Sequence, residues 1–325
     1  LLETKRNQYL IERITRMVKR TTWALKEQLL KGDFMPEAYE IRFDSDVLEG
    51  MMDVHLSDEV LMKLKGTIDR VDACEDEENV YVKVIDYKSG RQKFDIVALY
   101  YGLQLQLVVY LNAALEMERR LHADKKVVPA GIFYYHLDDP VLDKAAEDSP
   151  EKIQEKLLKK LRPDGVLNGD MTVLRLLDRE IGADSLVIPA GLKKDGSIKA
   201  ASSIVSTEQF EQVSKFASYK MKRMAKEIAD GVIAAEPFAD RQHTDYCIYS
   251  DVCGFDRKIP GMSQKRMMDF SKKEIWEKIA QEAQEQEEQE DEQTGQELRV
   301  EVEQEEKMAQ WMNVRTDKEE MEELP

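Results

Sequence analysis

The stretch that most constrains this chain is Gly66-Thr67-Ile68-Asp69-Arg70-Val71-Asp72, followed after the acidic turn Glu75-Asp76-Glu77-Glu78-Asn79 by Val80-Tyr81-Val82-Lys83-Val84-Ile85-Asp86-Tyr87-Lys88-Ser89-Gly90. Apolar and β-branched residues recur through both halves and only the turn must face water, which predicts a hairpin. Asp86 and Lys88 stand two apart, so their side chains share one face of the strand. With Asp69 on the neighbouring strand they form a small polar site suited to a divalent metal and a phosphate. Such a set fits phosphodiester cleavage.

A chain of 325 residues can bury a substantial core, and one α/β domain with attached helices is the expected organisation. No apolar run reaches membrane-spanning length, and Leu1-Leu2-Glu3-Thr4-Lys5-Arg6 lacks the order of a signal peptide, which points to a cytoplasmic protein without a membrane partner. Cys74, Cys247 and Cys253 are too few and too scattered for a disulfide framework. The net charge of −17 is concentrated at one end. Residues 281–325 carry 15 Glu and 2 Asp against 2 Lys and 2 Arg, a local −13, which leaves −4 for the other 280 residues. A body so nearly balanced is compatible with a basic cleft for DNA.

Four segments are expected: an N-terminal helix over 1–31, the main domain over 32–261, a C-terminal helix over 262–285 and an acidic low-complexity tail over 286–325. In the first helix Ile11, Ile14, Met17 and Val18 are the apolar residues, with Arg13, Arg16, Lys19 and Arg20 among them. That pattern reads either as a helix packed on the domain with a solvated basic face, or as one whose bases touch a phosphate backbone. One long helix is expected from Asp95 to about Arg119, a turn at 165–169, and a capped helix after Ser206-Thr207-Glu208-Gln209. The helix from Asp95 followed by the apolar strand Val127–Tyr135 is a crossover, so the sheet should be mixed. The tail buries too little apolar area to offset its ordering.

A magnesium site needs hard oxygen donors and open positions for water and phosphate. Asp69 and Asp86 supply two carboxylates, Glu40 on the entering strand a third contact directly or through water, and the Tyr87 backbone carbonyl completes the set. Lys88 can hold hydroxide or the scissile phosphate by its charge. Gln106 and Tyr110, four apart on the next helix, share a face and can orient the lysine, a ligand or the DNA backbone. Each residue also has a purely structural alternative. Asp69 could pair with Arg70 or Lys88, Asp86 could face a turn, Lys88 could be a surface lysine, and Gln106 and Tyr110 could be packing residues.

In their order, Phe34-Met35-Pro36 with Glu40, Gly66-x-Ile68-Asp69-Arg70-Val71-Asp72, Asp86-Tyr87-Lys88-Ser89-Gly90 and Gln106-x3-Tyr110 resemble the PD-(D/E)XK nuclease superfamily. The resemblance is to the RecB-like nuclease domain of the AddB-type family, the B subunits of ATP-dependent helicase/deoxyribonucleases. It continues through Pro129–Tyr135 and Ile228-x2-Gly231 to Cys247-x5-Cys253-x-Phe255-Asp256. It implies a restriction-endonuclease-like fold, Mg²⁺ or Mn²⁺ as the metal, DNA ends or single strands as substrate in double-strand break processing, and a helicase-nuclease partner subunit.

Two departures accompany it. Members of the family it resembles usually carry four cysteines for an iron–sulfur cluster, one far upstream of the nuclease motifs and three near the end spaced C-x2-C-x5-C. Here Thr244 replaces the first of those three and no cysteine precedes Glu40, so no cluster is expected. An upstream histidine that often completes the site also has no counterpart, since His55, His122, His136 and His243 all follow Glu40. Two alternatives stand beside this reading: a standalone nuclease of a phage or mobile element, which shares the site and differs in context, and a DNA-end binding or scaffold module with weak or lost cleavage. The absence of a Gly-rich Lys-Ser/Thr loop predicts no ATP hydrolysis.

Overall fold

The computed structural model describes residues 4–285 apart from 45–47, 49, 51, 58–59, 91, 144–148, 240–248 and 257. Its centre is a six-stranded mixed sheet in the order β1-β4-β5-β6-β7-β8. The strands are β1 (Met35–Arg42), β4 (Thr67–Glu75), β5 (Asn79–Lys88), β6 (Lys126–His136), β7 (Asp164–Asn168) and β8 (Ile204–Val205). A separate hairpin pairs β2 (Val54–His55) with β3 (Leu61–Met62). Strand β4 is antiparallel to both β1 and β5, and β5 is parallel to β6. Helices flank the sheet, giving the restriction-endonuclease-like architecture.

The expected hairpin forms, and its turn is held by Asp76, whose carboxylate accepts the N–H groups of Glu78 and Asn79 at 2.9 and 2.7 Å. Pro36 is tolerated because β1 is an edge strand, with one side free of ladder bonds. The crossover from β5 to β6 contains two helices rather than one: α2 (Ile96–Tyr100) and α3 (Gln106–Leu121). Gly102, at φ +79°, turns the chain between them. The buried Gln104 amide replaces the missing helical turn, donating to the Lys93 carbonyl at 3.1 Å and accepting the Asp95 N–H at 3.0 Å.

The expected turn at 165–169 is instead mostly strand β7. Gly165 makes this possible, since a Cβ there would lie 2.0 Å from the Ile132 carbonyl oxygen of β6. The remaining helices are α1 (Lys5–Lys31), α4 (Pro150–Lys160), α5 (Met171–Leu177), α6 (Thr207–Ala229), α7 (Ser250–Cys253) and α8, described over 272–285. Helix α6 opens with a capping box between Ser206 and Gln209, as its sequence predicts.

Each face of the sheet covers its own core. One gathers Val71, Val82 and Val84 with Leu107 and Leu111 of α3, Phe210 and Phe216 of α6, and Ile275 and Ile279 of α8. The other gathers Ile85, Phe133 and Tyr135 with Ala24 of α1, Leu158 of α4 and Leu174 of α5. Helix α1 differs from the expectation. Ile11, Ile14 and Val18 are exposed, and the helix buries Thr21 and Ala24 nearer its C-terminal end. Arg16 and Arg20 both pair with Asp139. No described helix is long and apolar enough to cross a membrane. Thr244, His243, Tyr246 and Cys247, and the tail over 286–325, lie outside the described residues.

Candidate active site

The β4–β5 ladder ends at Arg70↔Ile85, and one step further the same register sets Asp69 opposite Asp86. There the strands part. The Tyr87 N–H donates to Asp69 Oδ2 at 2.7 Å, so a side chain takes the place of the next ladder bond. Because directly opposed residues share a face, Asp69 and Asp86 both lie on the side of Val71 and Val84, under α3. The N–H and C=O of one strand residue point the same way, so the Tyr87 carbonyl also turns toward Asp69.

Asp86 is buried, with 2% of its surface exposed. Lys88 Nζ stands 2.6 Å from its Oδ2, an ionic contact without hydrogen-bond alignment, which leaves that buried oxygen with an open acceptor direction. Burial raises the Asp86 carboxyl above its ordinary range. The Lys88 charge opposes that rise and the Asp69 carboxylate adds to it. Lys88 Nζ also donates to Gln106 Oε1 at 3.1 Å, and Gln106 Nε2 donates to the Tyr110 hydroxyl at 2.8 Å. The Tyr110 ring packs edge-on against Phe43, centroids 5.7 Å apart, which fixes the far end of this line.

The suggested ion pair between Asp69 and Arg70 does not form. Arg70 is buried on the other face and holds Asp72 through Nε and Nη2, at 2.5 and 2.7 Å, with Lys83 3.3 Å from the same carboxylate. Lys88 pairs with Asp86 rather than Asp69. Glu40 lies across from Asp69, between the register pairs Tyr39↔Arg70 and Ile41↔Ile68. It is exposed, and it is the one described non-glycine residue with positive φ, +50°. Such a conformation costs on the order of 1–3 kcal/mol and persists where surrounding structure imposes it. Among the described residues no three His, Cys, Asp or Glu side chains stand close enough to cage a metal, so Asp69 and Asp86 are adjacent without Glu40 closing on them.

Sequence reasoning missed Tyr134, whose ring centre lies 5.4 Å from Lys88 Nζ and lines the lysine from β6. Only the parallel register, which sets Tyr134 beside Asp86 and His136 beside Lys88, reveals it. Cys74 lies at the far end of β4, where burial pushes its thiol up to about 11, and Cys253 is exposed.

The PD-(D/E)XK nuclease superfamily matches residues 1–254. The B subunit of the ATP-dependent helicase/deoxyribonuclease of Alkaliphilus metalliredigens is 37% identical over 287 residues, covering 87% of this chain and 25% of that protein. The proteins of the same name from Lachnoclostridium phytofermentans and Thermoanaerobacter sp. are 37% and 34% identical, each over 87% of this chain and 24% of the relative. The chain thus spans about a quarter of the length of these relatives. With residues 1–254 matched and the carboxylate pair and lysine set at the opening of two strands, this chain belongs to the PD-(D/E)XK nuclease superfamily.

Proposed function

We propose that this chain is a Mg²⁺- or Mn²⁺-dependent nuclease that hydrolyses DNA phosphodiester bonds at linear ends or in single strands, as in double-strand break processing. The observation that carries this reading is the line Asp86–Lys88–Gln106–Tyr110 beside Asp69, where β4 and β5 part. Magnesium is commonly held by one or two carboxylates together with substrate phosphate, so a full protein cage is not required. Asp69, Asp86 and the Tyr87 carbonyl would hold it, with Glu40 reaching it through water. The open acceptor direction on buried Asp86 Oδ2 supports a cation there. When bound, the metal supplies Lewis-acid polarisation of a phosphoryl oxygen and a more acidic water.

The chain's own groups do the rest. Lys88, steadied by Asp86 and Gln106, presents positive charge where negative charge develops on the phosphate, and orients the attacking water. Tyr110 holds the Gln106 amide so that its oxygen faces the lysine. Asp69, by taking the Tyr87 N–H, keeps the two strands apart at the point where a phosphate must enter. The subunit designation of the relatives supports a partner subunit with helicase activity.

The test is cleavage of linear DNA with Mg²⁺ against an EDTA control. Asp86→Ala and Lys88→Ala should each abolish metal-dependent cleavage at a temperature where circular dichroism shows the variant folded, and Lys88→Ala should also unfold at a lower temperature because it leaves the buried Asp86 carboxylate without its cation. Undiminished cleavage in both variants would assign any activity elsewhere. A second reading, a DNA-end binding module with weak or lost cleavage, is favoured by the exposed position of Glu40. It predicts DNA binding by the unsubstituted protein with no cleavage in either metal.

A further inference from the structure

Strand β5, which ends in Asp86 and Lys88, has β6 beside it in parallel register, with Tyr134 opposite Asp86 and His136 opposite Lys88. The Leu137 N–H donates to the Lys88 carbonyl at 2.9 Å, so the two strands stay paired to their ends. Residues two apart share a face and neighbouring strands stand about 4.8 Å apart, so His136 rises beside Lys88 on the face that carries Asp86. The two side chains lean in opposite directions. Lys88 Nζ reaches back to Asp86, 2.6 Å away, and to Gln106. The His136 ring reaches forward, where its Nδ1 lies 2.8 Å from the Gly90 carbonyl oxygen. A carbonyl oxygen can only accept, so Nδ1 carries the proton of that bond and the exchangeable position of the ring is Nε2. Among the described residues Nε2 has no hydrogen-bond partner, and the ring borders a cavity of about 550 Å³ at the strand ends.

We infer that His136 is a further catalytic residue, the general acid whose Nε2 protonates the leaving oxygen of the phosphodiester. The inference rests on the nuclease reading, and it adds the group that completes the displacement. Attacking and leaving oxygens stand roughly in line on opposite sides of phosphorus. With the attacking water on the Lys88 side, the departing oxygen faces the His136 side, where the cavity gives it room to leave. The water oxygen bonds to phosphorus and loses a proton to solvent, the bridging P–O bond breaks, and the imidazolium passes its Nε2 proton to the departing oxygen, which leaves as an alcohol. The neutral ring keeps its Nδ1 proton on Gly90 and takes another at Nε2 from solvent. Because the Gly90 carbonyl accepts the Nδ1–H in both states, the ring changes neither orientation nor partner during the transfer. The charged groups around it are Lys88 of β5, Lys93, Arg13 of α1, Lys160 and Arg162 at the end of α4, and Asp138 just beyond β6. Arg162 is engaged by Asp184 at 2.8 Å. Ammonium and guanidinium groups keep their protons near neutral pH, whereas imidazole is the side chain suited to exchange one there.

The experiment is single-turnover cleavage, by the full chain with Mg²⁺, of a linear oligothymidylate and of the same strand with one bridging oxygen replaced by sulfur, the 3′ and 5′ positions being tested separately. A thiolate leaves without a proton, so a missing acid matters only where oxygen departs. His136→Gln, whose amide can still donate to the Gly90 carbonyl, should cut the oxygen linkage about a hundredfold more slowly than the unsubstituted chain, with unchanged half-saturation, and should cut one of the two sulfur linkages at the unsubstituted rate. His136→Asn should behave in the same way, and circular dichroism at the assay temperature verifies that each variant is folded. Equal losses on the oxygen and both sulfur linkages would overturn the assignment and leave His136 a support for the Gly90 turn. A variant as fast as the unsubstituted chain on oxygen would overturn it too, as would a loss confined to half-saturation, which marks a phosphate contact. The nuclease reading fails on a different variant, if Asp86→Ala cuts every linkage as fast as the unsubstituted chain. With Asp86→Ala inactive on all of them and His136→Gln undiminished, only the acid is refuted.

Discussion

Asp86 and Glu118 are both carboxylates inside the core on the α3 side of the sheet, and they differ in what faces them. Asp86 has Lys88, so removing the lysine leaves burial and Asp69 unopposed. Lys88→Met should therefore move the Asp86 carboxyl further up, which side-chain NMR titration would detect; a downward or absent shift would show that the pair is not formed. Glu118 has no lysine or arginine beside it, and the one basic group within ion-pair distance is the His122 ring. The glutamate is fully buried, neither oxygen accepts a hydrogen bond, and burial followed by the Glu37 charge pushes its carboxyl up to about 7. The other ionisable groups around it are Glu75, His122, 3.5 Å away, and Lys125, which is bound to Glu75. Below the unfolded pKa both states hold the proton and nothing differs. Between that value and about 7 the folded chain keeps a proton that the unfolded chain releases, so stability falls as pH rises, and above 7 the loss is complete. Glu118→Gln should accordingly stabilise the protein by about 2–3 kcal/mol at pH 8 and by almost nothing near pH 4. Urea unfolding at the two pH values checks this; equal effects at both would remove titration as the cause.

Elements show where the sequence is legible. Strands β4 and β5 carry alternating patterns and one strong turn, so the hairpin and the placing of Asp69, Asp86 and Lys88 follow from residue order. The pairing of Lys88 with Gln106 does not, because it depends on where α3 begins. Leu99, Leu103 and Leu107 recur at helical spacing straight through Gly102, and only the Gln104 amide bonds and the positive φ of Gly102 reveal the break that starts α3 at Gln106. Glu40 is legible as a residue on the entering strand but not as one in a left-handed conformation, which local pattern does not encode. Strand β7 reads as a turn in the sequence because Gly165 and Gly169 bracket only three residues. Its burial against β6 is a long-range fact. Gly165→Ala would place a Cβ 2.0 Å from backbone oxygen that cannot move aside, so it should cost about 3 kcal/mol or more. Asp164, beside it, accepts the Phe94 N–H at 2.7 Å and so anchors the segment that carries Lys93. Chemical denaturation should show the loss, and a stability within experimental error of the parent would mean that β7 is not held against β6.

At the scale of the whole molecule the sheet is closed by helices from opposite ends of the chain, α1 on one face and α8 on the other. The α8 contact reaches the site indirectly. Ile275, Trp276 and Ile279 enter the same core as Leu107 and Leu111 of α3. Glu282 accepts from the Tyr100 hydroxyl and lies 3.1 Å from Lys220 of α6, while Tyr100 stacks on Phe216 with centroids 5.6 Å apart. Helices α2, α6 and α8 are therefore one packed unit behind α3, and α3 is the element that delivers Gln106 and Tyr110 to Lys88. Ile279 has no exposed surface, so Ile279→Ala removes buried methyl groups and leaves a cavity, with an expected cost of about 2–5 kcal/mol. If α8 serves only to cover the core, that loss should appear in unfolding while cleavage by the folded fraction is unchanged. If it also sets the position of α3, cleavage at saturating DNA should fall as well, and the signal of the Lys88–Gln106 contact should broaden by NMR. An unchanged unfolding midpoint would show that 272–285 does not pack on the domain in solution, and would separate the stability of the sheet from this helix altogether.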